Sequence, residues 1–443
     1  MNDEQKRLAE FLKAGVGDPP ARVTVQAVRR HSARRRLVSA SGAAAAVAVV
    51  AAIGAGLSGR LANPSPAVSP TVSAAPVPCR PGWHAAPGAV PAGDHQDRLV
   101  AIAGSASDDV WAVGDRLPDP RHVFPLLEHW DGRRWAYSAG ASLGGRQAYL
   151  TSVAALASDD VWAVGDFASI GPRLPAPLIE HWNGRSWSLQ PTRALTRLKT
   201  ALPQTLTSVA ALAPDDVWVL GTPGSNSSDV YLHWNGTSWK LFRGPNIGVH
   251  YGSAAMQVIA TDHRRHLWAA GGWMRRYGEA GVPGGGTVES WNGRRWEVDR
   301  HAAWKEPLTR VSPVAPDDVW AITGGSFTTA GTYGISPVQV LHWNGSTWNV
   351  ELSVGGASSV DLTGLAAVSA DDAYVMGQDI PTQQPFIDHW DGIRWRSLPL
   401  GPTGHIPRLG SIGLTVTADG SITALDTEGL TARTNYLWLR CQH

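Results

Sequence analysis

Cysteine is nearly absent from this 443-residue chain, which has only Cys79 and Cys441. That excludes a disulfide-dense scaffold and a multi-cysteine metal centre. Lysine is scarce, five residues against 33 arginines, and Phe (6) and Tyr (8) are few beside 21 Trp. Residues 1–60 hold ten basic and four acidic side chains, so the remainder carries 28 basic against 33 acidic. A net-acidic main body lacks the basic surface that phosphate contacts need, and no nucleic-acid partner is expected. Beyond residue 78 there is no helical periodicity, and no Ser-His-Asp, metal-ligand or phosphate-loop motif stands out. No metal and no cofactor are expected. Gly (48) and Pro (31) are dispersed among 43% hydrophobic residues, which fits a large buried core and neither collagen nor disorder.

Long apolar runs are also lacking, with one exception. Residues 37–59 are uncharged, long enough to cross a hydrocarbon core of about 30 Å as a helix. Arg29, Arg30, Arg34, Arg35 and Arg36 precede them, and positive charge on that flank favours a cytoplasmic N terminus. The expected organisation is a basic cytoplasmic leader (1–36), a single transmembrane helix (37–59), a Pro/Ser/Ala spacer (60–78) and a folded extracellular region (79–443). A cleaved signal peptide is the rival reading of the apolar run.

The folded region repeats itself. Ser107-Asp108-Asp109-Val110-Trp111-Ala112-Val113-Gly114 is followed by Glu128-His129-Trp130-Asp131-Gly132-Arg133-Arg134-Trp135. The pattern returns around Trp162, Trp218, Trp268, Trp320 and Tyr374, at spacings of 51, 56, 50, 52 and 54 residues. Each unit holds four strand signals, and its Asn-Gly or Asp-Gly supplies the positive φ of a tight hairpin. Four antiparallel strands every fifty residues describe an all-β fold, a β-propeller.

Six complete units leave a remnant at each end. Ala418–Leu425 continues the pattern and Tyr436–Cys441 resembles a third strand, with no fourth to follow; Cys79–His84 has the look of an isolated fourth strand. Together they are expected to close a seventh blade from both chain ends, bringing Cys79 and Cys441 side by side as a disulfide.

These units resemble the kelch superfamily of propellers. Kelch repeats carry a Gly doublet ending the second strand, here Gly271-Gly272 and Gly324-Gly325, reduced to a single Gly at Gly114, Gly165, Gly221 and Gly377. They also carry a third-strand aromatic and a fourth-strand Trp, here Trp130 and Trp135 and their equivalents up to Trp390 and Trp395. The hairpin is one residue shorter than the kelch pattern. A looser resemblance, through Gly-x-x-Trp at the same hairpin, is to the Asp-box of sialidase-like propellers. The resemblance implies a propeller over residues 79–443; the Ala-rich anchor and the five Lys against 33 Arg point to a membrane-anchored bacterial surface protein.

Recurring polar residues read as architecture. His129, His181, His233, His342 and His389 occupy equivalent positions on different blades and cannot converge on one ion. The pairs Asp108-Asp109 through Asp371-Asp372 recur at the first hairpin, where side-chain bonds to the turn backbone are expected. Function is expected where the repeats differ, on the rim carrying the second-to-third and blade-to-blade connections. The candidate ligand-binding residues there are Trp273, Arg275, Arg276, Tyr277, Trp304 and Lys305, with Arg310 facing the central channel. Aromatics beside cations suit a sugar ring or an anionic polymer. The leading expectation is a membrane-tethered module that binds a protein or glycan and has no catalytic residues. The rival is a cell-surface hydrolase or lyase with a site at the channel mouth; two or more carboxylates near Arg310 would favour it.

Overall fold

The computed structural model describes residues 84–87, 96–119, 121–168, 176–191, 203–223, 229–245, 254–262, 265–274, 283–299, 304, 306–329, 332–354, 360–379, 381–382, 384–398, 411–417, 420–427 and 435–440. The chain divides into Met1–Val72 and Ser73–His443, and every described residue belongs to the second unit. The expected anchor at 37–59 and the expected Cys79–Cys441 bridge lie outside the described residues. Among the described residues no helix is long and apolar enough to cross a membrane.

Those residues form seven four-stranded antiparallel sheets. Six are built from consecutive strands: blade 1 spans Gln96–Tyr137, blade 2 Ala148–Leu189, blade 3 Pro203–Arg243, blade 4 Ala254–Val298, blade 5 Leu308–Val354 and blade 6 Val360–Ser397. The remaining sheet joins Ser411–Val416, Ile422–Thr427 and Asn435–Arg440 to His84–Pro87 from the other end of the chain. Its closing pair is antiparallel, with His84 opposite Leu439 and Pro87 opposite Tyr436. This sheet sits between blades 6 and 1. A Cβ on Gly364 of blade 6 would stand 2.9 Å from the Leu414 amide nitrogen, and one on Gly104 of blade 1 would stand 2.7 Å from a Thr417 methyl.

Period-two alternation sends successive side chains to opposite faces of each sheet, and in a propeller both faces meet a neighbouring blade. The core therefore lies between blades. Trp111 of blade 1 packs against Trp182 and Trp187 of blade 2, at ring-centroid distances of 5.2 and 5.1 Å. Trp162 meets Trp234 and Trp239 in the same way, and Trp320 meets Trp390 and Trp395. Across each third-to-fourth hairpin the two Trp are register partners, as with Trp130 and Trp135.

The kelch-like glycines have a steric cause. Each first strand slips register near its centre, for example between Leu150 and Ser152, and the bulge pushes its backbone toward the second strand. A Cβ at Gly165 would lie 2.0 Å from the Tyr149 carbonyl oxygen, so no side chain fits there.

The repeated polar residues hold the turns, by a route that differs from the one expected for the aspartates. His129 Nε2 lies 2.7 Å from Asp109 Oδ1, and the same pairing joins His181–Asp160, His233–Asp216, His342–Asp318 and His389–Asp372 at 2.8–2.9 Å. Each histidine also packs on the second-strand aromatic, at 4.3 Å for Trp111–His129. The second Asp of each pair thus reaches across to the third strand instead of capping its own turn. The first Asp packs beneath the other hairpin: Asp159 Cβ would be 2.8 Å from a Cβ at Gly184. Backbone capping falls to the Asn or Asp of that hairpin, as when Asn183 Oδ1 accepts from the Arg185 and Ser186 amides at 3.0 Å.

Candidate functional site

The expected site residues fall in different settings. Trp273 lies on the second strand of blade 4, opposite Ala254. Arg275, Arg276, Tyr277 and Lys305 lie outside the described residues. Trp304 is half-buried, its backbone bridging to Gly286 and its ring edge-on to Trp348 at 5.1 Å, so part of its surface serves blade packing.

Arg310 lies on the first strand of blade 5 and is half-buried. Its Nε donates to the Thr363 carbonyl of blade 6 at 2.7 Å, and Nη1 donates to the Thr309 carbonyl at 2.8 Å. Burial lowers its pKa, and the charge of Asp361 opposes that shift. Asp361 is itself raised by burial and lowered by Arg310. The Arg310 guanidinium thereby ties two blades together, with one carboxylate among the described residues, Asp361, acting on it.

A concave site lies elsewhere, between blades 3 and 4, with a volume of about 620 Å³. Its wall is aromatic. Trp218, buried at 2% exposure, contacts Phe242 at 5.3 Å and Trp291 at 4.6 Å, and Phe242 meets Trp291 edge-on at 5.0 Å. His233 stacks on Trp218 at 4.3 Å, and Asp216 holds both: His233 Nε2 lies 2.9 Å from Asp216 Oδ1, and Trp218 Nε1 donates to the same oxygen at 2.9 Å. Lys240, Arg265 and Arg294 line the same space and are exposed. Among the described residues none of these three side chains is in an ion pair. His266 completes the lining, its Nδ1 2.8 Å from Asp262 Oδ2.

The groove opens on the rim of the first-to-second turns and third-to-fourth hairpins, opposite the rim that repeat variation singled out. The signal missed was a departure from repetition on the rim taken as constant. Where units 1, 2, 3 and 5 read Asp-Asp-Val-Trp and the sixth Asp-Asp-Ala-Tyr, the fourth reads Asp262-His263-Arg264-Arg265-His266-Leu267-Trp268. Asp262 Oδ1 accepts from the His266 amide at 2.9 Å, and Arg265 sits at φ 73°, the one non-glycine positive φ among the described residues.

A second group of polar residues is sealed between the same two blades. Tyr231 Oη donates to Glu289 Oε2 at 2.7 Å, and the Tyr231 ring stacks on Trp296 at 3.9 Å. Burial pushes Glu289 up to about 8 and nearby Asp229 to about 7. Burial likewise raises Asp166 and Glu180 to about 7, opposed for Asp166 by the Leu206 amide and the Tyr149 hydroxyl and for Glu180 by the Ala141 amide.

No protein-family model matches the chain, and no curated protein sequence matches it. Solved structures do. The GH74 xyloglucanase of Xanthomonas campestris is similar with a TM-score of 0.51 at 10% identity, over 82% of this chain and 56% of that one. The Hadza microbial sialidase Hz136 gives 0.40 at 12% identity (78% and 65%), and the β-propeller domain of the Trilobed protease from Pyrococcus furiosus gives 0.47 at 9% (77% and 94%). This chain spans just over half of the xyloglucanase. At such identities the likeness concerns the fold, and together with the strand topology it defines the class: a β-propeller of four-stranded antiparallel blades. The kelch resemblance rests on its motif residues alone.

Proposed function

We propose that this propeller is a recognition module, held outside the cell by the 37–59 segment with its N terminus in the cytoplasm, and that it binds a glycan or a protein. The observation that carries the reading is the groove between blades 3 and 4, where an aromatic wall stands beside three cations with no ion-pair partner among the described residues. Sites of roughly 300–1,000 Å³ with few convergent polar groups are typical of ligand binding. The rival hydrolase or lyase reading calls for a pair of carboxylates near Arg310, as glycosidic chemistry commonly uses. Among the described residues Asp361 alone acts electrostatically on Arg310, and Arg310 spends two donors on main-chain carbonyls.

The test is a screen of the detergent-solubilised full chain against a glycan array and a cell-surface extract, with mass analysis of whatever is retained. Retention of an unaltered ligand is the expected result. Turnover, seen as new reducing ends or unsaturated sugars, would replace recognition with the enzyme reading. Protease treatment of intact cells should remove residues 79–443 and spare the leader; protection of the propeller would overturn the topology.

A further inference from the structure

The groove's chemistry narrows the ligand. We propose that the cleft between blades 3 and 4 binds an acidic oligosaccharide, its carboxylate or sulfate groups on Lys240, Arg265 and Arg294 and its sugar faces on Phe242 and Trp291. This assignment rests on the recognition reading and goes further by naming the site and the ligand class.

Three observations converge. First, the cleft is where the blades stop being alike. At the Lys240 position the other blades carry Ala136, Ser188, Glu297, Asn349 and Arg396; at the Phe242 position they carry Ser138, Gln190, Asp299, Glu351 and Leu398. Arg265 belongs to the one first hairpin among the six complete units that abandons the Asp-Asp pattern. Phe242 packs partly on the core between blades 3 and 4, and it contacts both Trp218 and Trp291, extending the aromatic wall along the cleft.

Second, the charge is one-sided. The acids among the lining and its turn are committed: Asp216 to His233 and Trp218, Asp262 to His266. Among the described lining residues three cations thus stand against the single carboxylate of Asp216, a net positive cleft on a body whose residues beyond 60 are net acidic. A cationic cleft on an acidic surface concentrates anions locally while the rest of the surface repels them.

Third, the shape and surface suit sugars. Half-buried Trp291 and Phe242 offer apolar ring area for stacking, and Asn292 and His266 add polar groups at the edges. About 620 Å³ is room for a short oligosaccharide, too little for a folded partner's interface. Nucleic acid is disfavoured by the acidic body, since phosphate-backbone binding draws on an extended basic surface.

The experiment titrates the full chain by calorimetry with trigalacturonate, with cellotriose as the neutral counterpart, hexaglutamate as an acidic peptide and a short oligothymidylate. Variants are Arg265→Gln and Arg294→Gln, with Arg185→Gln as control, because Arg185 occupies in blade 2 the hairpin position that Arg294 holds in blade 4 and does not line the cleft. The expected result is binding of trigalacturonate, weakened about tenfold by Arg265→Gln and by Arg294→Gln, unchanged by Arg185→Gln, and absent for cellotriose. These exposed substitutions leave the melting temperature unchanged, which separates lost binding from lost folding. Equal weakening by Arg185→Gln would reduce the effect to general surface charge and overturn the site. Preference for hexaglutamate or oligothymidylate would overturn the ligand class. Retention of a neutral glycan or a protein in the array screen, with no affinity for trigalacturonate, would sink this assignment and leave the recognition reading standing.

Discussion

Glu289→Gln separates pH-dependent from pH-independent stability at the joint between blades 3 and 4. Glu289 is 1% exposed, accepts from Tyr231 Oη at 2.7 Å through Oε2, and has no hydrogen-bond partner for Oε1 among the described residues. Burial, reinforced by the nearby Asp229 charge, raises its pKa from 4.5 to about 8. Because the folded value lies above the unfolded one, the folded state holds a proton that the unfolded chain has lost between those two values. The stabilisation is complete below pH 4.5 and declines as pH rises, by about 1.4 kcal/mol per unit, until it levels off above pH 8. The loss over that window reaches about 4–5 kcal/mol. Glutamine keeps an acceptor for Tyr231 and does not titrate. The variant should therefore sit within about 1 kcal/mol of wild type at pH 5 and be clearly the more stable protein at pH 8.5. The assay is urea unfolding at pH 5, 7 and 8.5, followed by tryptophan fluorescence. Parallel pH profiles for the two proteins would refute the reasoning, because they would mean Glu289 is not held protonated by burial.

Other consequences follow from the blade architecture. Gly165→Ala should destabilise by about 2–3 kcal/mol or more, since its Cβ would stand 2.0 Å from the Tyr149 carbonyl oxygen; chemical melts measure it. His342→Ala removes both the 2.8 Å contact to Asp318 and the 4.3 Å stack on Trp320, and should cost about 2–3 kcal/mol with no effect on binding in the blade 3–4 groove. Cys79 and Cys441 flank strands that pair His84 with Leu439, and a bridge between them would contribute about 3–5 kcal/mol. Non-reducing mass analysis of protein from the cell surface should find no free thiol; two free thiols would refute the bridge.

The blade pattern was legible because its causes are local. Asn183-Gly184 needs only its own Asx bonds and positive φ, and the Trp182–Trp187 pair follows from strand alternation. The pairing of the two chain ends was legible because each remnant lacked what the other supplied. The role of the aspartate pairs was not. That Asp160 holds His181 and the Trp162 indole depends on the third strand lying beside the first hairpin, a tertiary relation that turn chemistry alone does not contain. The groove was hidden for a similar reason. Lys240, Arg265 and Arg294 come from two blades and three separate turns or strands, and no spacing in the chain brings them together. Attention to the variable rim favoured the residues around Trp273 and Trp304, whereas the lining residues arise from substitutions within short, repeated turns and strands. Trp218 and Trp291, both at repeat positions, serve twice, as blade packing and as the groove wall.

The most direct test of the account is a crystal structure of the propeller-bearing chain soaked with trigalacturonate. The account predicts the trisaccharide between blades 3 and 4, with carboxylates within hydrogen-bond distance of Arg265 and Arg294 and a ring against Phe242 or Trp291. Density at the channel mouth beside Arg310, or on the rim carrying Trp273, with the groove empty, would contradict it.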